Sequence, residues 1–335
     1  VAGFLQEGVV IMPFGVPDFH ALHIEQGMEY FYRNDFHTAL VEFDQALQLR
    51  ESRIARIDRA YALLALGRYR EGWHDLITRH QFGNEAAFTE NGRRLRRKLP
   101  QWDGKTDQRV VLLHEAGYGD SIMFLRMAQL LDVSFVFDAP LPLQRLFEPA
   151  VPIGNDGDAW FSLFDLPALF DDIPSPPYLA PDPALVAKWR GKIGNGGAKH
   201  IGIAWSSNTS HVGEIEARSI QLPRFLDLLP FDGVLHALQN HDLEIATSCG
   251  VQTPDLADFA DVAALAACMD VIVSIDTAAL HVAGAIDHPR IYAMLPYTAT
   301  WRWHAGNRWY PNMKLCQTQA PNDWASAFMS LKNWK

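Results

Sequence analysis

The chain has 335 residues, is 48% hydrophobic and 20% charged, and carries a net charge of -10. That length allows two or three domains, and the acidic balance excludes a general nucleic-acid binder, which needs a basic face. No apolar run is long enough to span a bilayer, and the opening VAGFLQEGVVIMPFG lacks the basic start of a signal peptide. The three cysteines, Cys249, Cys268 and Cys316, are widely spaced and form neither a disulfide framework nor a CxxC pair. They point to a reducing, cytoplasmic setting.

Residues 20–80 read as helices. EQGMEYFYRNDFHTALVEFDQALQL predicts two amphipathic helices broken at Asn34-Asp35, and RIDRAYALLALGRYREGWHDLITRH repeats the plan with its break at Gly67-Arg68. Phe36 and Tyr69 follow the two breaks at an offset of 33, a period of stacked helix pairs. Gly27, Tyr30, Ala39, Phe43 and Ala46 sit at spacings that resemble the tetratricopeptide repeat; in the second unit Gly72 replaces the small alanine. The basic run NGRRLRRKLPQWDGKTDQ (91–108) reads as a solvated helix end and a linker.

Strand and helix then alternate, which predicts an α/β layer with a parallel sheet. VVLLHE and VSFVFDAP are strands around the helix of GYGDSIMFLRMAQLL; PLQRLFEPA is a further helix, and AWFSLFDLPALF a strand with a short helix. PSPPYLAPDPALVAKWRGKIGNGGA is Pro-rich, then helical, then Gly-rich, and its glycine run is expected to be an interdomain hinge. Afterwards HIGIAW, GVLHALQ, VIVSI and RIYAMLP are strands, with PRFLDLLP and ADVAALAACM as helices between them. The expected organisation is a helical domain over 1–92, a first Rossmann-like half over 93–190, a second over 191–320, and a terminal helix over 321–335 that packs back on the first half. Two such halves enclose a cleft at the carboxyl ends of their strands.

Two motifs carry candidate chemistry. In HEAGYGDS (114–121) a strand feeds a glycine turn and a helix. Gly117 and Gly119 match part of a dinucleotide fingerprint, with Asp138 where a ribose-binding acid would stand. But Ile122 takes the third glycine's place, and Asp120 opens the helix where a pyrophosphate would lie. Asp120 is then either an N-cap or a catalytic base, with the glycines admitting an acceptor to the backbone. In VSIDTAALHVAGA (273–285), Asp276 or Ser274 can cap a helix whose first amides, at Thr277, Ala278 and Ala279, suit a diphosphate. Thr277 and His281 are four apart, so His281 is either a phosphate contact or a core histidine. Asp156-Gly157-Asp158 reads as a solvated turn, not a metal triplet, and no metal site is expected. The aromatics of WRWHAGNRWY (301–310) either stack on a sugar or base, or wedge domains together.

LPQWDG, LLHEAGYGDSIMFLRM, IGIAWSSN, ARSI, HALQ, ADFADVAALAACMDVIVSIDTAALHVAGA and LPYTATWRWHAGNRWYP occur in an order that resembles bacterial tetratricopeptide-repeat proteins with a glycosyltransferase half. These are similar to the ADP-heptose:lipopolysaccharide heptosyltransferases and, more distantly, to O-GlcNAc transferase. The resemblance implies a GT-B fold, two Rossmann-like domains facing a cleft, preceded by the repeats. It implies transfer of a sugar from a nucleotide-diphosphate sugar to an acceptor hydroxyl, without a cofactor or metal. Asp120 would be the base, within an acceptor-side loop of Glu115, Gly117 and Gly119. Asp276, Thr277, Ala278, His281, Asn208, Arg218, Ser219 and Gln239 would line the donor site, and the repeats would present a protein acceptor. The turn departs from the family's Glu-Gln-Gly-Leu-Gly-Asp at Ala116 and Tyr118, and Thr300 stands where an acid is common. The opposing reading is a non-catalytic scaffold on the same fold.

Overall fold

The computed structural model describes residues 18–82, 85–194, 196–207 and 218–331, and its contacts divide into two compact units. A helical unit takes the described residues before Glu85 together with 167–171 and 298–306; an α/β unit takes the other described residues.

The helical unit contains α1 (Phe19–Tyr32), α2 (Phe36–Leu49), α3 (Arg53–Ala65) and α4 (Tyr69–Ile77). Asp18, Asp35 and Ser52 cap the first three through side-chain oxygens that accept first-turn N–H groups. Both expected breaks are present, with Asn34 at φ 62 and Gly67 at φ 75 turning the chain between helices. Each helix packs on the next, and Ala39, Phe43, Ala46 and Leu64 are fully buried between them. The 3-10 turn Trp301–Trp303 joins this unit, with Trp301 edge-on to Trp73 at 5.5 Å and His304 edge-on to Phe36 at 4.6 Å.

One buried carboxylate ties three of these helices together. Asp75 on α4, only 1% exposed, accepts from Arg59 at 2.6 and 2.9 Å and from Arg56 at 3.2 Å, both on α3. Arg59 also donates to Asp44 on α2 at 2.8 Å. The guanidinium forks match a carboxylate with two acceptor edges.

In the α/β unit, β1 (Val110–Leu113), β2 (Phe135–Asp138) and β3 (Ala159–Ser162) form a parallel sheet of order β2-β1-β3. α5 (Glu90–Lys98), α6 (Tyr118–Ala128) and α7 (Leu141–Phe147) accompany it. The basic run is a helix end to Lys98 followed by an irregular, mostly exposed stretch, as expected, but the helix is packed on the sheet. Leu95 of α5 packs with Phe88, Val111, Leu113, Val136 and Trp160, and Arg96 lies over the Phe88 and Trp160 rings at 4.4 and 4.8 Å. The boundary expected after residue 92 falls inside α5, which belongs with the first sheet.

The second sheet holds β4 (His200–Ala204), β5 (Val234–Ala237), β6 (Val271–Ile275), β7 (Ile291–Leu295) and β8 (Met313–Gln317), all parallel, in the order β5-β4-β6-β7-β8. The short apolar strands β4, β6 and β7 are buried along nearly their whole length, as strands covered on both faces must be. With it go α8 (Pro183–Ile193), α9 (Leu222–Leu228), α10 (Leu243–Ser248), α11 (Phe259–Ala266), α12 (Ala278–Ala285) and α13 (Trp324–Met329). Counted from β4, the strand order is 2-1-3-4-5, which puts its topological switch point between β4 and β6.

Two expectations are corrected. The glycine run is not the crossing between halves. α8 before it already packs on α11, with Trp189 Nε1 donating to Asp261 at 3.0 Å, so the crossing lies upstream, over 172–182. The terminal helix does not return to the first half either. Trp324, Ala327 and Phe328 of α13 sit in the second sheet's core with Ile203, Phe225 and Met294, because the apolar face of this short helix completes that layer.

The halves meet through α6 on α12 and α7 on α11. Arg145 of α7 donates to Asp258 and Asp261 of α11 at 2.7–2.9 Å, and Tyr118 of α6 meets Phe259 edge-on at 5.5 Å. Among the described residues no helix is long and apolar enough to cross a membrane.

Asp75→Ala leaves two partly exposed arginines facing each other without their shared acceptor. It is expected to cost about 2–3 kcal/mol, measured as a loss in urea unfolding free energy. Asp44→Ala, which removes only a rim partner, is expected to cost under about 1 kcal/mol.

Candidate functional site

The site is built where β1 and β6 end. Each strand turns directly into a helix, α6 and α12, and the two helix N-termini touch. A Cβ on Gly119 would lie 2.6 Å from His281 Cδ2 and 3.6 Å from Ala278 Cα, so only glycine allows this approach. The sequence motifs around Asp120 and Asp276 are thus brought together, 156 residues apart in the chain.

On the α6 side, Gly117 is the N-cap and Asp120 holds the third helical position. Asp120 Oδ2 accepts from Gly117 N at 3.1 Å, so its carboxylate closes the turn as a capping-box partner and remains partly exposed. Ala116 before it takes φ 65, with its N–H donating to Ala87 O at 2.9 Å. A non-glycine residue in the left-handed region is a strained choice that the surrounding bonds must hold. Beneath the turn, buried Glu115 accepts from Ser162 Oγ at 2.5 Å, which ties the end of β1 to the end of β3. His114 Nδ1 lies 2.7 Å from Ser121 Oγ, and burial pushes its imidazole down to about 4, against the opposing pull of Asp120 and Glu115.

On the α12 side, Thr277 is the N-cap, in extended conformation, and its side chain makes no capping bond. Leu280 N and His281 N both reach Thr277 O, at 3.0 and 3.3 Å. Among the described residues no acceptor is present for the N–H groups of Ala278 and Ala279. Neither Ser274 nor Asp276 fills the capping role expected of it. Ser274 Oγ donates to Ile275 O at 2.8 Å, and Asp276 Oδ1 is turned to His281 Nε2 at 3.5 Å. The N-terminus is therefore uncapped, with Thr277 and Ala278 partly exposed.

His281 is a core side chain, 3% exposed, with Nδ1 2.9 Å from Tyr310 Oη. Of its two sequence readings, the geometry matches the core histidine. Gln239 is also inward: its Oε1 accepts from Trp205 N at 3.0 Å and Ser206 N at 3.3 Å, so it shapes the loop after β4 and does not project toward a ligand. Ser219 Oγ accepts from Ser207 N at 3.1 Å, and Ile220 N donates to Trp205 O at 2.9 Å, which brings Arg218-Ser219 back beside the end of β4. Asn208 lies outside the described residues.

Other motifs resolve as structure. Asp158 accepts from Arg109 N at 2.8 Å and Asp156 pairs with the Arg109 side chain at 3.0 Å, at the amino end of β3, away from the helix N-termini. Asp138 accepts from Asn91 on α5 at 2.7 Å. Trp301, Trp303, Trp309 and Tyr310 are all buried, so none offers an open stacking face. Sequence reasoning missed Arg126 and Tyr178, whose link to Tyr310 and His281 leaves no local spacing signal.

Because burial lowers His114 below its ordinary value of 6.5, the unfolded chain binds a proton that the folded chain refuses between pH 6.5 and about 4. The stability is fully present above pH 6.5 and falls as the pH drops toward 4, by up to about 3 kcal/mol. Urea midpoints measured from pH 7 to 4 are expected to show this slope, and His114→Gln is expected to flatten it.

No protein-family model matches the chain. Among curated proteins the chain is similar to Protein FlbA of Caulobacter vibrioides, at 25% identity over 371 residues, covering 92% of this chain. The chain spans 60% of that relative's length. Among solved structures it is similar to a glycosyl transferase family 9 structure from Veillonella parvula, at 13% identity and a TM-score of 0.44, over 71% of this chain and 94% of that one.

Proposed function

We propose that the α/β unit is a GT-B-type glycosyltransferase, moving a sugar from a nucleotide-diphosphate sugar to an acceptor hydroxyl. The observation that carries this reading is the meeting of an uncapped helix N-terminus, at Thr277–Ala279, with the turn that holds Asp120. The N-terminus belongs to the strand beside the switch point of its sheet, where ligands of open α/β sheets bind. Free amides and the helix dipole there favour a diphosphate.

In this scheme the Asp120 carboxylate takes the proton of an acceptor hydroxyl. The acceptor oxygen attacks the anomeric carbon, and the bond from that carbon to the diphosphate oxygen breaks. The electron pair leaves with the diphosphate, where the N–H groups of Ala278 and Ala279 stabilise it. The amides supply the charge stabilisation a metal would otherwise give, so the proposed reaction needs none. Thr277 and the Arg218–Ser219 segment flank the donor; Gln239 acts by holding the loop after β4. We further propose that the helix pairs are tetratricopeptide-like and bind an extended protein acceptor, and that the protein works in the reducing cytoplasm, in keeping with its unpaired cysteines.

The test is a thermal-shift screen of ADP, UDP, GDP and dTDP and their sugars. Ligand at 100 times Kd is expected to add about 2.7 kcal/mol of stability. Asp120→Asn is expected to keep nucleotide binding and to lose about 100-fold or more in sugar transfer or donor hydrolysis. Unchanged turnover in that variant removes Asp120 as base. A wild-type chain that binds no nucleotide favours the scaffold.

A further inference from the structure

Behind α12 runs a buried polar chain that none of the site assignments uses. Arg126 of α6 is 0% exposed. Its guanidinium donates to Met123 O at 3.0 Å, Pro174 O at 3.2 Å, Trp309 O at 2.6 Å and Tyr178 Oη at 2.9 Å, and it lies over the Tyr178 and Tyr310 rings at 4.2 and 4.7 Å. Carbonyls, phenols and ring faces surround this cation, and among the described residues no carboxylate accepts from it. From Tyr178 the chain continues to Tyr310 Oη at 3.3 Å and on to His281 Nδ1 at 2.9 Å. Beyond the imidazole stands Asp276, 5% exposed, 3.5 Å from Nε2.

We propose that Arg126, through Tyr178 and Tyr310, fixes the proton of His281 on Nε2, and that this N–H holds the Asp276 carboxylate away from the N-terminus of α12. In the proposed arrangement the guanidinium, which only donates, has the Tyr178 oxygen as acceptor, and the Tyr178 O–H is directed to Tyr310. Tyr310 accepts and passes its proton's bond to His281 Nδ1. Burial holds the Tyr310 phenol well above its ordinary range, so it stays an O–H donor. With Nδ1 accepting, the ring carries its proton on Nε2, on the side of Asp276.

The consequence concerns the helix end. Asp276 directly precedes the N-cap, where an aspartate's oxygens ordinarily accept from the first amides. Turned toward His281, it leaves them open to another anion. Tyr310 and Arg126 are thus positioning residues that act through His281, and Tyr310 reaches it because Gly284 on α12 leaves room for its ring. The link to donor binding rests on the proposed function; the proton position does not.

The two parts are tested separately. Two-bond proton–nitrogen NMR spectra of the 15N-histidine protein, with His281 assigned by loss of its signals in His281→Gln, read the tautomer directly. The wild type is expected to show His281 with a bare Nδ1 and a protonated Nε2. Tyr310→Phe, which keeps the ring, and Tyr178→Phe, one step removed, are both expected to shift it toward the other tautomer. A wild-type signal with the proton on Nδ1, or on both nitrogens, overturns the proposal. So does a Tyr310→Phe variant, folded by its melting transition, whose tautomer is unchanged. In calorimetric titration with ADP and UDP, Tyr310→Phe is expected to weaken binding about tenfold as Asp276 caps the helix. If neither variant nor wild type binds a nucleoside diphosphate, the donor-site reading fails while the NMR result still decides the relay.

Discussion

The contact between Gly119 and the edge of His281 sets the distance between the two α/β halves at their functional ends. A parallel strand followed at once by a helix points that helix's N-terminus outward from the sheet's carboxyl edge. Two such units can bring their N-termini together only if one backbone carries no side chain at the crossing. Glycine at 119 meets that demand, and the flanking contacts then follow. Tyr118 reaches Phe259, and α7 comes close enough for Arg145 to pair with Asp258 and Asp261. Asp261 also accepts from Trp189, so one buried carboxylate anchors α7 and α8 to the same helix.

That arrangement puts like charges near each other on purpose. Glu115, Asp120 and Asp276 all lie at strand ends that converge, in a chain with a net charge of -10. Each is held by a different donor: Ser162 for Glu115, the Gly117 amide for Asp120, and the His281 side of α12 for Asp276. The helix dipoles add positive potential at both N-termini. In the proposed function, an incoming anion meets the amides there and an incoming hydroxyl meets the Asp120 carboxylate.

Much of the fold was legible because its signals are local. The breaks at Asn34 and Gly67 turn the chain where their residue types allow, and the apolar strand runs of the α/β unit are too short and too β-branched to be helices. The strand β8, MKLCQ, was not legible: it is an edge strand with alternating burial and a lysine facing out, so its apolar run is interrupted. The helix α10 was missed for the same reason, since LEIATS buries only Ala246 among its six residues. The destination of the terminal helix was misjudged because an amphipathic face does not say which sheet it will cover.

The site was legible in part, and the dividing line is again locality. Asp120 and the amides after Asp276 announce themselves by position at helix starts. What distinguishes a capped start from an open one is where the neighbouring carboxylate goes, and that depends on partners far along the chain. Asp276 is adjacent to the amides in sequence, yet it faces His281. His281 is oriented by Tyr310, 29 residues later, and Tyr310 is reached from Arg126 through Tyr178. Under the proposed relay, the same letters, Asp-Thr-Ala-Ala-Leu-His, form a capped core helix when Tyr310 is replaced by phenylalanine. On that proposal the open helix end is a property of the buried relay behind the helix as much as of the residues at its tip.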